Sequence, residues 1–187
     1  MNAIIDFLKT RCSPRPRDLT GPGPSPEEID TILTIASRVP DHGKLAPWRF
    51  IVFEGEARNR GGEVIAKAFT GTRPDATEAE IAAERSRLTL APLVIAVVSR
   101  PQTHPWAPEW EQQMSAAASA MNIVIAATAL GYGACWLTGW VAGNREVLDG
   151  FGLKPEEKMI GMIYIGKVAT PPVDRPRPAL SEVVTRF

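Results

Sequence analysis

Apolar positions along this chain follow two rhythms, a helical spacing of three to four and short continuous runs, and the switches between them mark out the elements. Ile4, Ile5, Phe7 and Leu8 share one face of a helix predicted over residues 3–9, which Pro14 and Pro16 keep from continuing. Residues 21–26, reading GPGPSP, form a loop. Ser25, Pro26 and Glu28 then make a helix start, with proline in the first turn and a capping box, and Ile29, Ile32, Leu33 and Ala36 recur behind it. Pro40 pushes Val39 out of helical geometry, so this helix ends near Ser37 or Arg38. Trp48, Phe50, Ile51, Val52 and Phe53 read as a buried strand. Gly55 opens a helix that carries Val64, Ile65, Ala68 and Phe69 and breaks around residues 71–74. Thr77 and Glu80 form a second capping box, launching a charged surface helix predicted to reach Leu90.

The run from Leu93 to Val98 is unbroken and rich in valine, hence a buried strand. After a proline-rich loop over residues 100–108 comes the longest periodic stretch, a helix predicted over residues 109–130 and stopped by Gly131 and Gly133. A short strand at 134–137, a helix at 144–149 and a last strand at 159–165 follow. Periodicity fades over residues 169–187, so this tail needs some other surface to hold it. Helices and strands alternate without the regular rhythm of a doubly wound sheet, which makes the class α+β, with residues 1–187 as one domain. The long helix is apolar nearly all round. It belongs in the centre of the core, across a subunit interface where its alanines permit close approach, or both.

Composition removes several function classes. Lysine plus arginine equals aspartate plus glutamate at 21 each, so no global field favours nucleic acid or an acidic membrane surface, and any anion site is local. Two cysteines and two histidines give neither a disulfide framework nor metal-ligand spacing. Serine, asparagine and threonine interrupt the long helix, which argues against a membrane span. The amino-terminal residues lack the charged start and long apolar middle of a signal peptide, which makes a cytoplasmic protein the expectation. GYGACW from Gly131 resembles a dinucleotide fingerprint but lacks its third glycine and follows a helix, so a Rossmann site is rejected and a helix stop is sufficient. There is no P-loop, no Gly-x-Ser-x-Gly elbow and no His-Glu-x-x-His helix.

The candidate chemistry is dispersed. RVPDHGKLAPWRF, from Arg38 to Phe50, sets Arg38, His42 and Lys44 in a turn between a core helix and a core strand, predicted to be half buried. Buried cations require an anionic partner, whereas cations at an exposed helix end merely complement its dipole; both readings stand. Arg11 and Ser13 follow the first helix, Thr138, Gly139 and Trp140 follow a strand, and Arg175 and Arg177 lie near the end. Together they suit one phosphorylated, planar ligand. Forked guanidinium donors meet phosphate, while hydroxyl and backbone donors meet a ring edge. Trp106 and Trp110 read as a lid over a ligand or as core or interface packing. Cys135 reads as a small buried hydrophobe rather than a redox thiol, and His104 as a loop residue.

Arg38, Pro40, Asp41, His42, Pro47, Trp48 and Phe50 match the R-x-P-D-H turn and P-W-R/H-F strand of a small single-domain branch of the FMN-dependent nitroreductases. Arg11 and Ser13 match that family's Arg-Arg-Ser element, and EWEQ at Glu109, TGW at Thr138 and RPRP at Arg175 fall in the expected order. The chain thus resembles this family over nearly its whole length. The resemblance implies a nitroreductase-like α+β fold, with a mostly antiparallel sheet flanked by helices and a long central helix at a homodimer interface. It also implies two FMN sites shared between the subunits. Arg11, Cys12 and Ser13 would hold the phosphate end with Arg175 or Arg177. Arg38 and His42 would reach in from the other subunit, near the end of the flavin that becomes anionic on reduction. Thr138, Gly139 and Trp140 would border the isoalloxazine through backbone donors, and residues 129–134 would approach NAD(P)H.

The implied activity is ping-pong transfer of hydride from NAD(P)H through flavin N5 to a nitroaromatic, quinone or similar small aromatic acceptor, a chemistry in which the cofactor does most of the work. The alternatives are a non-catalytic FMN reservoir or sensor dimer, a scaffold that has lost the cofactor, and reductive dehalogenation or flavin cleavage. Two departures from the pattern stand out. Cys12 replaces the second arginine, and Asp41 and Lys44 replace the serine and asparagine of larger members, in agreement with the smaller branch.

Overall fold

A computed structural model describes residues 2–170 and 172–187. Among these residues five strands form one sheet: β1 (Leu19–Thr20), β2 (Trp48–Glu54), β3 (Leu93–Ser99), β4 (Gly133–Leu137) and β5 (Lys158–Val168). Their pairings are antiparallel. The hub is β5, which pairs with β3 (Val94 opposite Tyr164), with β4 (Cys135 opposite Tyr164) and with β1 (Leu19 opposite Val168). On its other side β3 pairs with β2, with Phe50 opposite Val97.

Helices cover both faces, and the two-residue alternation of β3 divides the core between them. Leu93, Ile95 and Val97 pack with Ile29, Ile32 and Ala36 of α2 (Pro26–Ala36) and with Ala120, Ile123 and Ala127 of α5 (Glu109–Ala129). Val94, Ala96 and Val98 pack with Ile65 and Ala68 of α3 (Glu56–Thr72) and with Val147 and Leu148 of α6 (Arg145–Gly150). Every residue of β3 is therefore buried, which is why its sequence shows a run and no alternation. The remaining helices are α1 (Ala3–Thr10), α4 (Glu78–Arg85) and α7 (Leu180–Val183).

Both predicted capping boxes form: Ser25 Oγ accepts from Glu28 N and Thr77 Oγ1 from Glu80 N, with each glutamate closing back on its cap's N–H. Other expectations need correction. The charged helix does not reach Leu90. It stops at Arg85 and tightens into a 3-10 turn over Arg87–Leu90, because Leu88 has to enter the core beneath Gly61, where a Cβ would lie 2.5 Å from Leu88 Cδ1. The tail contains α7, a single helical turn too short to leave a periodic signature. One residue of β2 and one of the loop before β5 carry structure the pattern did not mark. Arg49 is bidentate to Glu157, with Nε to Oε1 at 2.8 Å and Nη2 to Oε2 at 2.7 Å, and Glu157 is only 5% exposed.

The turn after α2 is not half buried. Arg38, His42 and Lys44 are all exposed in the protomer. The turn is held by side chains that satisfy its backbone instead: the Asp41 carboxylate accepts from Leu45 N (2.9 Å) and Ala46 N (2.8 Å), Ser115 Oγ donates to Pro40 O, and Asn122 Nδ2 donates to Ile35 O and Arg38 O. Arg38 and Lys44 are thus left to face outward. Along α5 one stripe, including Ala116, Ala120, Ile123 and Ala127, is fully buried, while Trp110, Met114 and Met121 stand exposed on the opposite side. An all-round apolar helix is accordingly sunk into its own subunit on one face only.

Candidate functional site

The first helix ends where Arg11 N donates to Phe7 O, and the chain passes through Pro14 into a 3-10 turn over Pro16–Asp18 that leads to β1. That path opens a cavity of about 1060 Å³ between the segment after α1, the edge strand β4, the middle of α5 and the start of the tail. Arg11, Ser13 and Arg175 line it together, with Trp136 and Leu137 of β4 and Met121 of α5 forming apolar walls. Among the described residues β4 pairs only with β5, so its other edge offers backbone donors and acceptors to whatever occupies the cavity.

The guanidiniums around this cavity differ in their commitments. Arg15 is paired with Asp18 at 2.8 Å, and Arg177 with Asp174 at 3.1 Å. Among the described residues Arg11 and Arg175 make no ion pair, and Arg11 Nη1 reaches only the hydroxyl of Ser13, at 3.2 Å. Two guanidiniums without a carboxylate partner and a hydroxyl thus stand among the lining residues, groups whose chemistry suits an anion. Arg177 lies outside the lining and Arg175 within it. Cys12 donates its thiol to Val173 O at 3.6 Å and is not among the lining residues.

The turn after β4 leaves Thr138 and Gly139 exposed, with Gly139 at φ +65°. The Trp140 side chain is turned the other way. Its indole packs on Phe69 and donates to Glu84 Oε2 at 3.1 Å. Glu84 also receives Arg87 Nε and Nη2, at 2.8 and 2.7 Å, and Arg87 Nη1 lies 3.8 Å from the place a Gly139 Cβ would occupy. Sequence reasoning missed Glu84 and Arg87: their spacing reads as an ordinary helical ion pair, and only the packing of α4 against the turn brings them to Gly139.

Arg38 and His42 are not part of this cavity. His42 lines a second, apolar cleft of about 270 Å³ with Trp110, Met114 and Ala118, and its Nδ1 lies 2.8 Å from Glu111 Oε2. Trp106 and Trp110 are exposed, which excludes packing in their own core. His104 is no bystander, since its Nδ1 accepts from Ala107 N at 3.2 Å and organises the proline-rich loop. Residues 129–134 do not line the large cavity; Tyr132, Gly133 and Ala134 are buried, and Gly131, at φ +81°, ends α5 in the left-handed conformation expected of a helix stop. Cys135 is buried, and burial pushes its thiol up to about 11, so it stays protonated and unreactive at neutral pH. No described helix is long and apolar enough to cross a membrane, and no metal-ligating cluster occurs among the described residues.

Comparison with known proteins shows the family and the fold. A family model described as the Nitroreductase family matches residues 8–167. YdjA of Escherichia coli K12, provisionally named an NAD(P)H nitroreductase, is 33% identical over 166 residues, covering 89% of this chain and 88% of its own. A Haemophilus influenzae protein with the same provisional name is 35% identical over 164 residues, covering 87% and 86%. Among solved structures, a nitroreductase-like protein from Bacillus cereus superposes with a TM-score of 0.85 at 21% identity, covering 100% of this chain and 97% of the other. A nitroreductase with bound FMN from Bacteroides fragilis superposes with a TM-score of 0.72 at 19% identity, covering 100% of both. At such identities the superpositions speak to the fold, an antiparallel sheet between helical layers.

Proposed function

The chain belongs to the nitroreductase family, and from that premise we propose that it is an FMN-dependent NAD(P)H oxidoreductase whose FMN lies in the cavity along the edge of β4. The observation that supports this reading is that Arg11, Ser13 and Arg175, drawn from opposite ends of the chain, line one cavity of about 1060 Å³. The residues fit the group. A phosphate dianion takes two unpaired guanidiniums and a hydroxyl, and a planar apolar ring takes the walls of Trp136, Leu137 and Met121.

Bound FMN supplies the redox chemistry, accepting hydride from NAD(P)H and passing electrons in ping-pong order to a small aromatic acceptor such as a nitroarene or quinone. The protein's part is to bind and orient. Arg11, Ser13 and Arg175 anchor the phosphate, with the backbone of Cys12 beside them. The exposed Thr138–Gly139 backbone offers donors to the ring edge, and Arg87 adds a cation beside Gly139. Arg38 and His42, exposed in the protomer and far from any buried role, complete the site of a second subunit. The long helix α5 supplies the interface through Trp110, Met114 and Met121, which makes the working unit a homodimer with two shared sites.

The test is an absorption spectrum of the purified protein followed by anaerobic addition of NADH or NADPH and then a quinone. A flavin spectrum that bleaches and recovers is expected. A colourless protein that refuses added FMN overturns the reading, and bound flavin that neither nicotinamide reduces would make it a carrier instead of an enzyme.

A further inference from the structure

We propose that Trp136 is the aromatic wall on which the flavin ring packs, an inference that rests on the FMN reading above. Trp136 sits opposite Ile163 in the β4–β5 ladder and is half buried, packed inward against the α2–α5 side of the core and outward on the cavity. Its orientation is set from below. The indole Nε1 donates to Ile160 O at 3.3 Å, and the ring edge occupies the slot left by Gly161, where a Cβ would lie 2.0 Å from Nε1 and 2.6 Å from Cδ1. With its only polar atom satisfied inside the protein, the indole asks for no hydrogen bond from a ligand. Of the five tryptophans it alone lines this cavity: Trp140 is turned to Glu84, Trp110 lines the His42 cleft, Trp106 is exposed, and Trp48 lies at the far strand β2. Neither Tyr132 nor Tyr164 lines it.

An indole in contact with photoexcited flavin donates an electron to it and takes the electron back without emission, so the contact is read by flavin fluorescence, independently of turnover. Bound FMN in the wild type is expected to be nearly dark, with a picosecond decay, and Trp136→Phe to retain FMN and emit several-fold more strongly. Trp140→Phe should stay dark. Gly161→Ala, whose new methyl displaces the indole, should brighten the flavin as Trp136→Phe does. Nanosecond emission from FMN bound to the wild type, which needs no variant to measure, overturns the proposal while leaving FMN binding intact. A wild-type protein that binds no FMN removes the premise itself, and the two failures are told apart by whether flavin co-elutes with the protein.

Discussion

Arg11 illustrates how a single side chain becomes informative through what it lacks. Its guanidinium reaches a hydroxyl and no carboxylate, so an incoming phosphate meets no competing anion. Removing a charge-assisted contact of this kind costs about 1.5–3 kcal/mol, so Arg11→Ala should weaken FMN binding roughly 10- to 100-fold by fluorescence titration, with the melting temperature of the apoprotein unchanged. Arg177→Ala, whose partner is Asp174, should leave affinity within experimental error. Tyr164 shows the opposite kind of lack. Its hydroxyl is buried with no partner among the described residues, and burial pushes its pKa up to about 12. Because an unsatisfied buried hydroxyl is costly, Tyr164→Phe should keep or raise stability by about 1 kcal/mol in urea denaturation, and a marked loss would reveal a partner for the hydroxyl.

Between elements, the Arg49–Glu157 pair ties β2 to the loop that precedes β5, reinforced by Arg49 Nη2 donating to Gly152 O and by Lys154 N donating to Glu157. With Glu157 enclosed but the Arg49 side chain 29% exposed, removing one member costs about 1–3 kcal/mol, and Glu157→Gln should lower the urea midpoint accordingly. The hydrogen bond from Arg49 holds the Glu157 carboxyl below the usual range, against the opposing effect of burial. A carboxyl whose folded pKa is depressed contributes in full above its unfolded value of about 4.3 and loses the contribution as pH falls through the lower folded value. The gap between wild type and Glu157→Gln should therefore be widest at neutral pH and close in acid; a gap independent of pH would remove the ion pair as its cause. Glu84 works similarly at the turn after β4, holding Arg87 and Trp140 at once.

For the whole molecule, the decisive feature is the exposed side of α5. Trp110 and Met114 are 63% and 58% exposed on a helix whose other face is completely buried. Fully burying such a side chain is worth up to about 1.5–3 kcal/mol, which the proposed second subunit would recover. If α5 forms the proposed interface, Met114→Glu should convert a dimer to a monomer in light scattering and, by withdrawing Arg38 and His42 from the proposed shared site, release FMN with it. A monomer that keeps its flavin would show that each protomer holds a complete site.

Local physical chemistry made much of this protein legible in its sequence. Capping boxes at Ser25 and Thr77, the buried run of β3 and the glycine stop at Gly131 are set by residues within a few positions of each other, as are the helices and strands they delimit. The matching turn at Arg38–His42, with Arg11 and Ser13, identified the family, yet a spacing pattern carries no information on burial, and the turn expected to be half buried proved exposed. Tertiary structure alone could decide which arginines are spent on neighbours and which remain free, that Trp140 turns to Glu84 while Trp136 faces the cavity, and that Arg49 finds Glu157 across 108 positions of sequence. Those outcomes depend on contacts between elements distant in the chain, whose geometry arises only when the sheet brings them together.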